Sequence, residues 1–120
     1  MIRFLSRYKL PLYITENGIA DASDALRSEY LKTHLEVLAE AKAKGADVRG
    51  YFHWSLMDNF EWIKGFTPRF GLLEVDYGDF SRRMRPSAER LSRMLHALHG
   101  APPTPEAVRQ AFLSDSPSQR

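Results

Sequence analysis

The chain has 120 residues, 43% apolar and 12% aromatic, a composition suited to one modest globular domain or part of a larger one, and not to a disordered segment. It contains no cysteine, which excludes disulfides and thiolate metal sites. The net charge of +2 is unevenly spread: residues 1–79 carry 10 basic and 12 acidic groups, residues 80–120 seven arginines against three acids.

No apolar run is long enough to cross a bilayer, and no long apolar stretch follows MIRFLSRYK, so a signal peptide is not expected. The expectation is a soluble, cytoplasmic protein without membrane contacts. Arg82-Arg83-Met84-Arg85 reads as a solvated connection ahead of a helix. No aromatic or Gly-rich recognition pattern accompanies it, so no nucleic-acid partner is expected.

In chain order, residues 2–8 carry Ile2, Leu5 and Tyr8 at helical spacing with Phe4 beside them, and read as the end of a helix that starts in mid-pattern. That suggests a chain cut from something longer. Leu10 to Thr15 is a continuous apolar run with Pro11 near its start, the pattern of a strand buried on both faces of a parallel sheet. Residues 24–44 form the clearest helix. Leu26, Tyr30, Leu31, Leu35, Leu38 and Ala41 fall on one stripe, Ser23 or Asp24 is the expected cap, and Gly45 the expected stop.

Val48 to Trp54 follows as a second strand, so strand, helix and strand make a βαβ unit. A polar and aromatic excursion, SLMDNFEWIKGFTPRFG, comes next, then a short strand pair near Leu72–Tyr77. Pro86 opens a last helix, with Ala88, Leu91, Met94, Leu95 and Leu98 inward and Gly100 beyond. Residues 101–120 hold four prolines and read as a tail with a short helical piece at Glu106–Leu113.

Parallel α/β folds gather functional groups at the carboxyl ends of their strands. Here the first strand ends in Glu16-Asn17 and the second in Trp54 and the excursion, so Glu16, Trp54, Asp58, Asn59, Glu61 and Trp62 can share one mouth. Carboxylates beside indole rings suit a carbohydrate: the ring faces pack on sugar C–H groups and the carboxylates accept hydrogen bonds from hydroxyls. Each piece alone has a plainer reading. Asn-Gly is a common turn, tryptophans are usually core, and His53 in an apolar strand is usually a hydrogen-bonded core histidine. No histidine has a second ligand at metal spacing, so neither metal nor cofactor is expected.

"LPLYITENG", followed at a distance by "RGYFHWSLMDNFEWIKGFTPRFGLLEVDY" and "RPSA", resembles the C-terminal portion of the family 1 glycoside hydrolases, the retaining β-glucosidase and β-galactosidase group. "GADVRGYFHWSL" is most similar to the archaeal type of β-glycosidase. The resemblance covers residues 1–100 and leaves 101–120 as a proline-rich tail. It implies an α/β fold, the C-terminal part of a (β/α)8 TIM barrel, with strands seven and eight and their helices, incomplete on its own. It makes Glu16 the catalytic nucleophile, Trp54 the platform under the sugar, Glu61 and Trp62 the pair that holds the remote hydroxyls, and Phe70 an aromatic lining the pocket. Asp58 and Asn59 belong to the motif as loop-stabilising residues. A carboxylate at Glu61 implies unphosphorylated β-glucosides or β-galactosides as substrates, since it would repel phosphate.

Retaining hydrolysis uses two carboxyl groups about 5–5.5 Å apart, one as nucleophile and one as acid then base. The family carries the second in an Asn-Glu-Pro motif, and no Asn-Glu-Pro occurs here. The expectation is therefore a chain that supplies the nucleophile and part of the sugar pocket, is inactive alone, and associates with a complementary N-terminal barrel chain or with itself. The alternative is a non-catalytic module, derived from a truncated glycosidase, that binds sugar or a protein.

Overall fold

The computed structural model describes residues 2–100 and 103–113, except for the side chain of Arg3. A short helix α1 (Ile2–Leu5) runs into a 3-10 turn at Ser6–Tyr8 that stops at Lys9 in the left-handed conformation. Strand β1 (Leu12–Asn17), helix α2 (Arg27–Ala43) and strand β2 (Val48–His53) follow, and β1 pairs with β2 in parallel. The excursion carries one 3-10 turn, Trp62–Lys64, before the antiparallel pair β3 (Leu73–Val75) and β4 (Arg82–Met84). Helices α3 (Pro86–Ala97) and α4 (Pro105–Leu113) complete the described chain. The body is a slab of 47 × 41 × 21 Å, and its two small sheets do not close into a barrel.

Three helices make the core. Leu31 and Ala39 of α2 meet Leu91 and Met94 of α3 and Val108 and Phe112 of α4, with Leu35, Tyr51, Leu72 and Leu98 packed around them. Full burial of a Leu, Met or Phe side chain stabilises by about 1.5–3 kcal/mol, so this cluster is the main cohesive term. An ion pair between Arg109 and Glu36 (3.3 Å) ties α4 to α2 at the surface. Pro86 occupies the first turn of α3, and Gly45 and Gly100 take φ of +91° and +81° just past α2 and α3. Lys42 Nζ donates to the Val48 carbonyl (3.0 Å), closing the connection from α2 to β2.

Four expectations need correction. β1 is not buried on both faces: Tyr13, Thr15 and Glu16 are exposed, because β1 has β2 as its only strand neighbour among the described residues. The helix begins at Arg27, and its cap is neither Ser23 nor Asp24. Asp21 accepts from the Leu26 and Arg27 N–H groups (2.8 and 3.1 Å), while Asp24, at φ +61°, turns its carboxylate to Ser87. Leu26 and Leu95 lie outside the core at 62% and 58% exposure, so the inner stripes of α2 and α3 are narrower than the sequence pattern. The arginine run is solvated only through Met84; Arg85 is buried.

Candidate active site

Glu16 is the fifth residue of β1, and the β1–β2 register slips between Ile14 and Asn17, so the strand is irregular where Glu16 sits. The irregularity is held from both sides. Asn17 pairs with His53, and its carbonyl accepts the Trp54 N–H (2.9 Å). Its side-chain amide donates to Tyr30 Oη (3.0 Å) and accepts from Tyr51 Oη (3.0 Å). Burial, with the nearby Tyr30 adding to it, pushes the Tyr51 phenol well above its ordinary pKa, so it stays protonated and remains a donor. Glu16 is left exposed, with no hydrogen bond or ion pair from its carboxylate among the described residues.

The next residue to matter is Gly18. A Cβ there would lie 1.6 Å from the Trp54 carbonyl oxygen, so only glycine allows the two chain segments to pass. The Trp54–Ser55 peptide bond is cis. Beyond it the chain continues alongside residues 70–73: Ser55 N–H donates to the Phe70 carbonyl (3.2 Å), and the Leu72 N–H returns to Ser55 (2.9 Å). Glu16, Trp54 and Phe70 therefore sit at adjoining chain segments at the carboxyl ends of β1 and β2.

Glu61 and Trp62 stand apart, on the 3-10 turn. The Glu61 N–H donates to Gly65 (2.7 Å), and Trp62 has φ +46° and is 80% exposed. Among the described residues no hydrogen bond or ring contact joins either side chain to Glu16 or Trp54. Phe60 and Phe66 pack edge to face beneath the turn (5.4 Å between ring centres), and Phe66 reaches Tyr77 (4.5 Å). Glu16 also borders a hollow of about 1020 Å³ on the α2 side of β1, which none of Trp54, Glu61, Trp62 and Phe70 lines.

Asp58 is the hub of the excursion. Fully buried, it accepts from the N–H groups of Gly71 (2.9 Å) and Val75 (3.3 Å) and from the guanidinium groups of Arg85 (3.0 Å) and Arg69 (3.3 Å). Asn59 donates to Ser55 Oγ (2.9 Å) and to the Met57 carbonyl (3.1 Å). The loop-stabilising reading of both residues agrees with these contacts. Arg85 extends the network to the loop after β1 by donating to the Ala22 carbonyl (2.8 Å). Arg27, with no exposed surface, pairs with Asp24 and donates to the carbonyls of Asp21 (2.7 Å) and Arg69 (2.8 Å). The loop bearing the end of β1 and the excursion after β2 are thus locked together by buried arginines.

Sequence reasoning missed Asn17, Tyr30 and Tyr51 as a clamp, and Arg27 and Arg85 as buried cross-links. An Asn beside the Glu near the end of an apolar strand was the available signal for the clamp; an Arg in the first turn of a helix gives none. His53 departs from its expectation as well. It is half-buried, and neither ring nitrogen makes a hydrogen bond of good geometry. Burial pushes its pKa below 6.5, only partly offset by the backbone of Phe70 and Asn17.

β1, α2 and β2 make a parallel βαβ element whose strand ends carry Glu16 and lead into Trp54. The sequence profile of glycosyl hydrolase family 1 matches residues 1–98, and the chain belongs to that family. It is 52% identical over 88 residues to a β-galactosidase of Sulfolobus acidocaldarius, across 73% of this chain and 18% of that protein. With β-glucosidase 16 of Arabidopsis thaliana it shares 47% over 103 residues, 78% of this chain and 20% of that one. The solved β-glucosidase of Pyrococcus furiosus superposes with a TM-score of 0.81 at 43% identity, covering 93% of this chain and 23% of that chain. The β-glycosidase of Pyrococcus horikoshii gives 0.78 at 46% identity, covering 95% and 26%. The chain spans about a fifth of the length of the curated relatives it matches.

Proposed function

We propose that this chain is the nucleophile-bearing part of a retaining β-glycosidase acting on unphosphorylated β-glucosides or β-galactosides. The observation that carries the reading is the junction of the two strand ends. Gly18 passes against the Trp54 carbonyl, and the Trp54 N–H donates to the Asn17 carbonyl, so the chain segments that carry Glu16 and Trp54 adjoin. Its relatives include β-galactosidases and β-glucosidases by name. In this reading β1 and β2 are strands seven and eight of a (β/α)8 barrel.

Glu16 attacks the anomeric carbon, forming a glycosyl ester that water then hydrolyses with net retention. Its exposure and its lack of a partner among the described residues suit an attacking carboxylate, and the Asn17 clamp holds its backbone. Trp54 packs under the sugar ring. Glu61 and Trp62 reach the hydroxyls remote from the bond, and Phe70 closes the apolar side. The acid/base belongs to the rest of the barrel, because no Asn-Glu-Pro motif occurs among these residues. A general acid contributes roughly 10²–10⁴-fold. The isolated chain is therefore expected to release no product from aryl β-glucosides.

The test is complementation. The preceding portion of a family member, supplied as a separate chain, is expected to restore hydrolysis with retained anomeric configuration, and Glu16→Gln to abolish it without preventing assembly. Turnover by the isolated chain that disappears in Glu16→Gln would refute the division of labour.

A further inference from the structure

We propose that Asn17-Gly18 is a site of spontaneous covalent modification, deamidation through a cyclic imide, and that Tyr30 and Tyr51 hold it unreacted in the folded chain. The argument starts from the pair itself. The chain has two asparagines, Asn17 and Asn59, and glycine follows only the first. With no Cβ, Gly18 leaves its N–H open to the side chain before it and its backbone free to turn. Phe60 follows Asn59, and its bulk shields that nitrogen.

The reaction needs only water. The Gly18 nitrogen gives up its proton to hydroxide and attacks Cγ of Asn17. An N–C bond forms, the Cγ–Nδ2 bond breaks, and Nδ2 leaves as ammonia after taking a proton from water. Water then opens the five-membered imide at either carbonyl. One opening gives aspartate; the other gives isoaspartate, with the main chain rerouted through the former side chain.

In the folded chain the reacting groups are held apart. Nδ2, the leaving group, donates to Tyr30 Oη (3.0 Å), and Oδ1 accepts from Tyr51 Oη (3.0 Å). Tyr30 belongs to α2 and Tyr51 to β2, so two elements grip the amide. Ring closure also requires the backbone to leave its extended conformation. Asn17 ends β1, pairs with His53 and accepts the Trp54 N–H at its carbonyl (2.9 Å), which opposes that rotation. Gly18 in turn passes so close to the Trp54 carbonyl that the segment has little room to turn. The grip survives the alkaline conditions that favour the attack, because burial lifts the Tyr51 phenol well above its ordinary pKa and it remains a donor. Asn17 and Gly18 are half-buried, not sealed, so water reaches them once the clamp opens.

The consequence falls on Glu16. Either product sets a second carboxylate beside it and removes the amide that donates to Tyr30. Isoaspartate also lengthens the main chain by one carbon where β1 meets β2. A release of the clamp is thereby recorded irreversibly at the strand end.

Peptide mass analysis after timed incubation at pH 8 reads the conversion, and enzymatic methylation counts the isoaspartate. The natural chain is followed folded and unfolded in guanidinium chloride, beside folded Tyr30→Phe and Tyr51→Phe. Denaturant is expected to convert Asn17 fastest, with Asn59 far behind, and the folded natural chain to convert it slowest. Each Phe variant that still melts cooperatively is expected to convert Asn17 about 2- to 10-fold faster than the natural chain, the worth of one lost hydrogen bond. Should both variants unfold, the natural chain alone decides: conversion as fast folded as in denaturant overturns the proposal. So does a folded Phe variant no faster than the natural chain, or Asn59 outpacing Asn17 in denaturant. The measurement reads no turnover, so it stands or falls apart from the glycosidase reading.

Discussion

Arg85 Nη2 lies 3.0 Å from Asp58 Oδ2, and the two side chains are 5% and 0% exposed. The pair joins the residue that opens α3 to the excursion carrying Glu61, Trp62 and Phe70. Breaking a buried ion pair from one side leaves the other charge uncompensated, at a cost of about 3–5 kcal/mol. Asp58→Ala also strands the N–H groups of Gly71 and Val75. The expected outcome is a loss in that range or beyond in urea titration. A loss under about 1 kcal/mol, the level of an exposed pair, would show that the network does not hold the excursion.

Gly18→Ala tests the strand-end junction. The added methyl would sit 1.6 Å from a backbone oxygen, which cannot rotate away as a side chain does. Overpacking typically costs about 1–3 kcal/mol, and here the backbone itself must move. A lowered melting midpoint is expected together with a shift in tryptophan fluorescence, because Trp54 is displaced. An unchanged spectrum and midpoint would contradict the close approach.

His53 gives the protein a pH dependence of known sign. Burial is the main cause of its lowered pKa, so the folded state binds the proton less well than the unfolded state. Stability is complete above the unfolded value near 6.5 and falls as pH drops from there toward the lowered folded value. Urea midpoints at pH 8 and pH 5 are expected to differ more for the natural chain than for His53→Asn. Equal differences would remove His53 from the account.

Asp21 acts in a lower window. Burial raises its pKa, but the Leu26 N–H, the Ser23 hydroxyl, the Arg27 N–H and the Arg27 charge together pull it below the ordinary 3.8. The carboxylate's contribution is present above that value and is lost as pH falls through the lowered one. Asp21→Asn is expected to lower stability at pH 7 by about 0.5–2 kcal/mol, the usual worth of a helix cap, and by less near pH 3. A penalty that stays constant with pH would place the effect elsewhere than in the charge.

Much of the βαβ unit was legible because α2 and the two strands follow simple periodicities, and Gly45 and Pro86 act locally. The start of α2 was not, because Asp21 caps it from five residues before Leu26, across a loop that Arg27 and Arg69 fold back. The burial of Arg85 was hidden for a similar reason: its partners, Gly71, Ala22 and Asp58, lie 14, 63 and 27 residues away. The exposure of Tyr13 and Thr15 was misread because apolar strand composition reports what a strand packs against in a whole sheet, and β1 has one strand neighbour among the described residues. Glu16 and Trp54 were placed at one end by the rule that parallel strands share a direction, whereas Phe70 came only from the family resemblance. The separation of Glu61 and Trp62 depends on a turn with Trp62 at φ +46°, for which the motif carries no local signal.

The central claim is that Glu16 attacks the anomeric carbon, and a trapped intermediate tests it most directly. The chain, assembled with a complement that carries the acid/base, is treated with a β-glucoside bearing a good leaving group and an electron-withdrawing C2 substituent, which slows the second displacement. Peptide mass analysis is then expected to find one glycosyl unit on the peptide containing Glu16, absent in Glu16→Gln. A glycosyl ester on any other carboxylate, Glu61 included, or product of inverted configuration without an ester, would contradict the account.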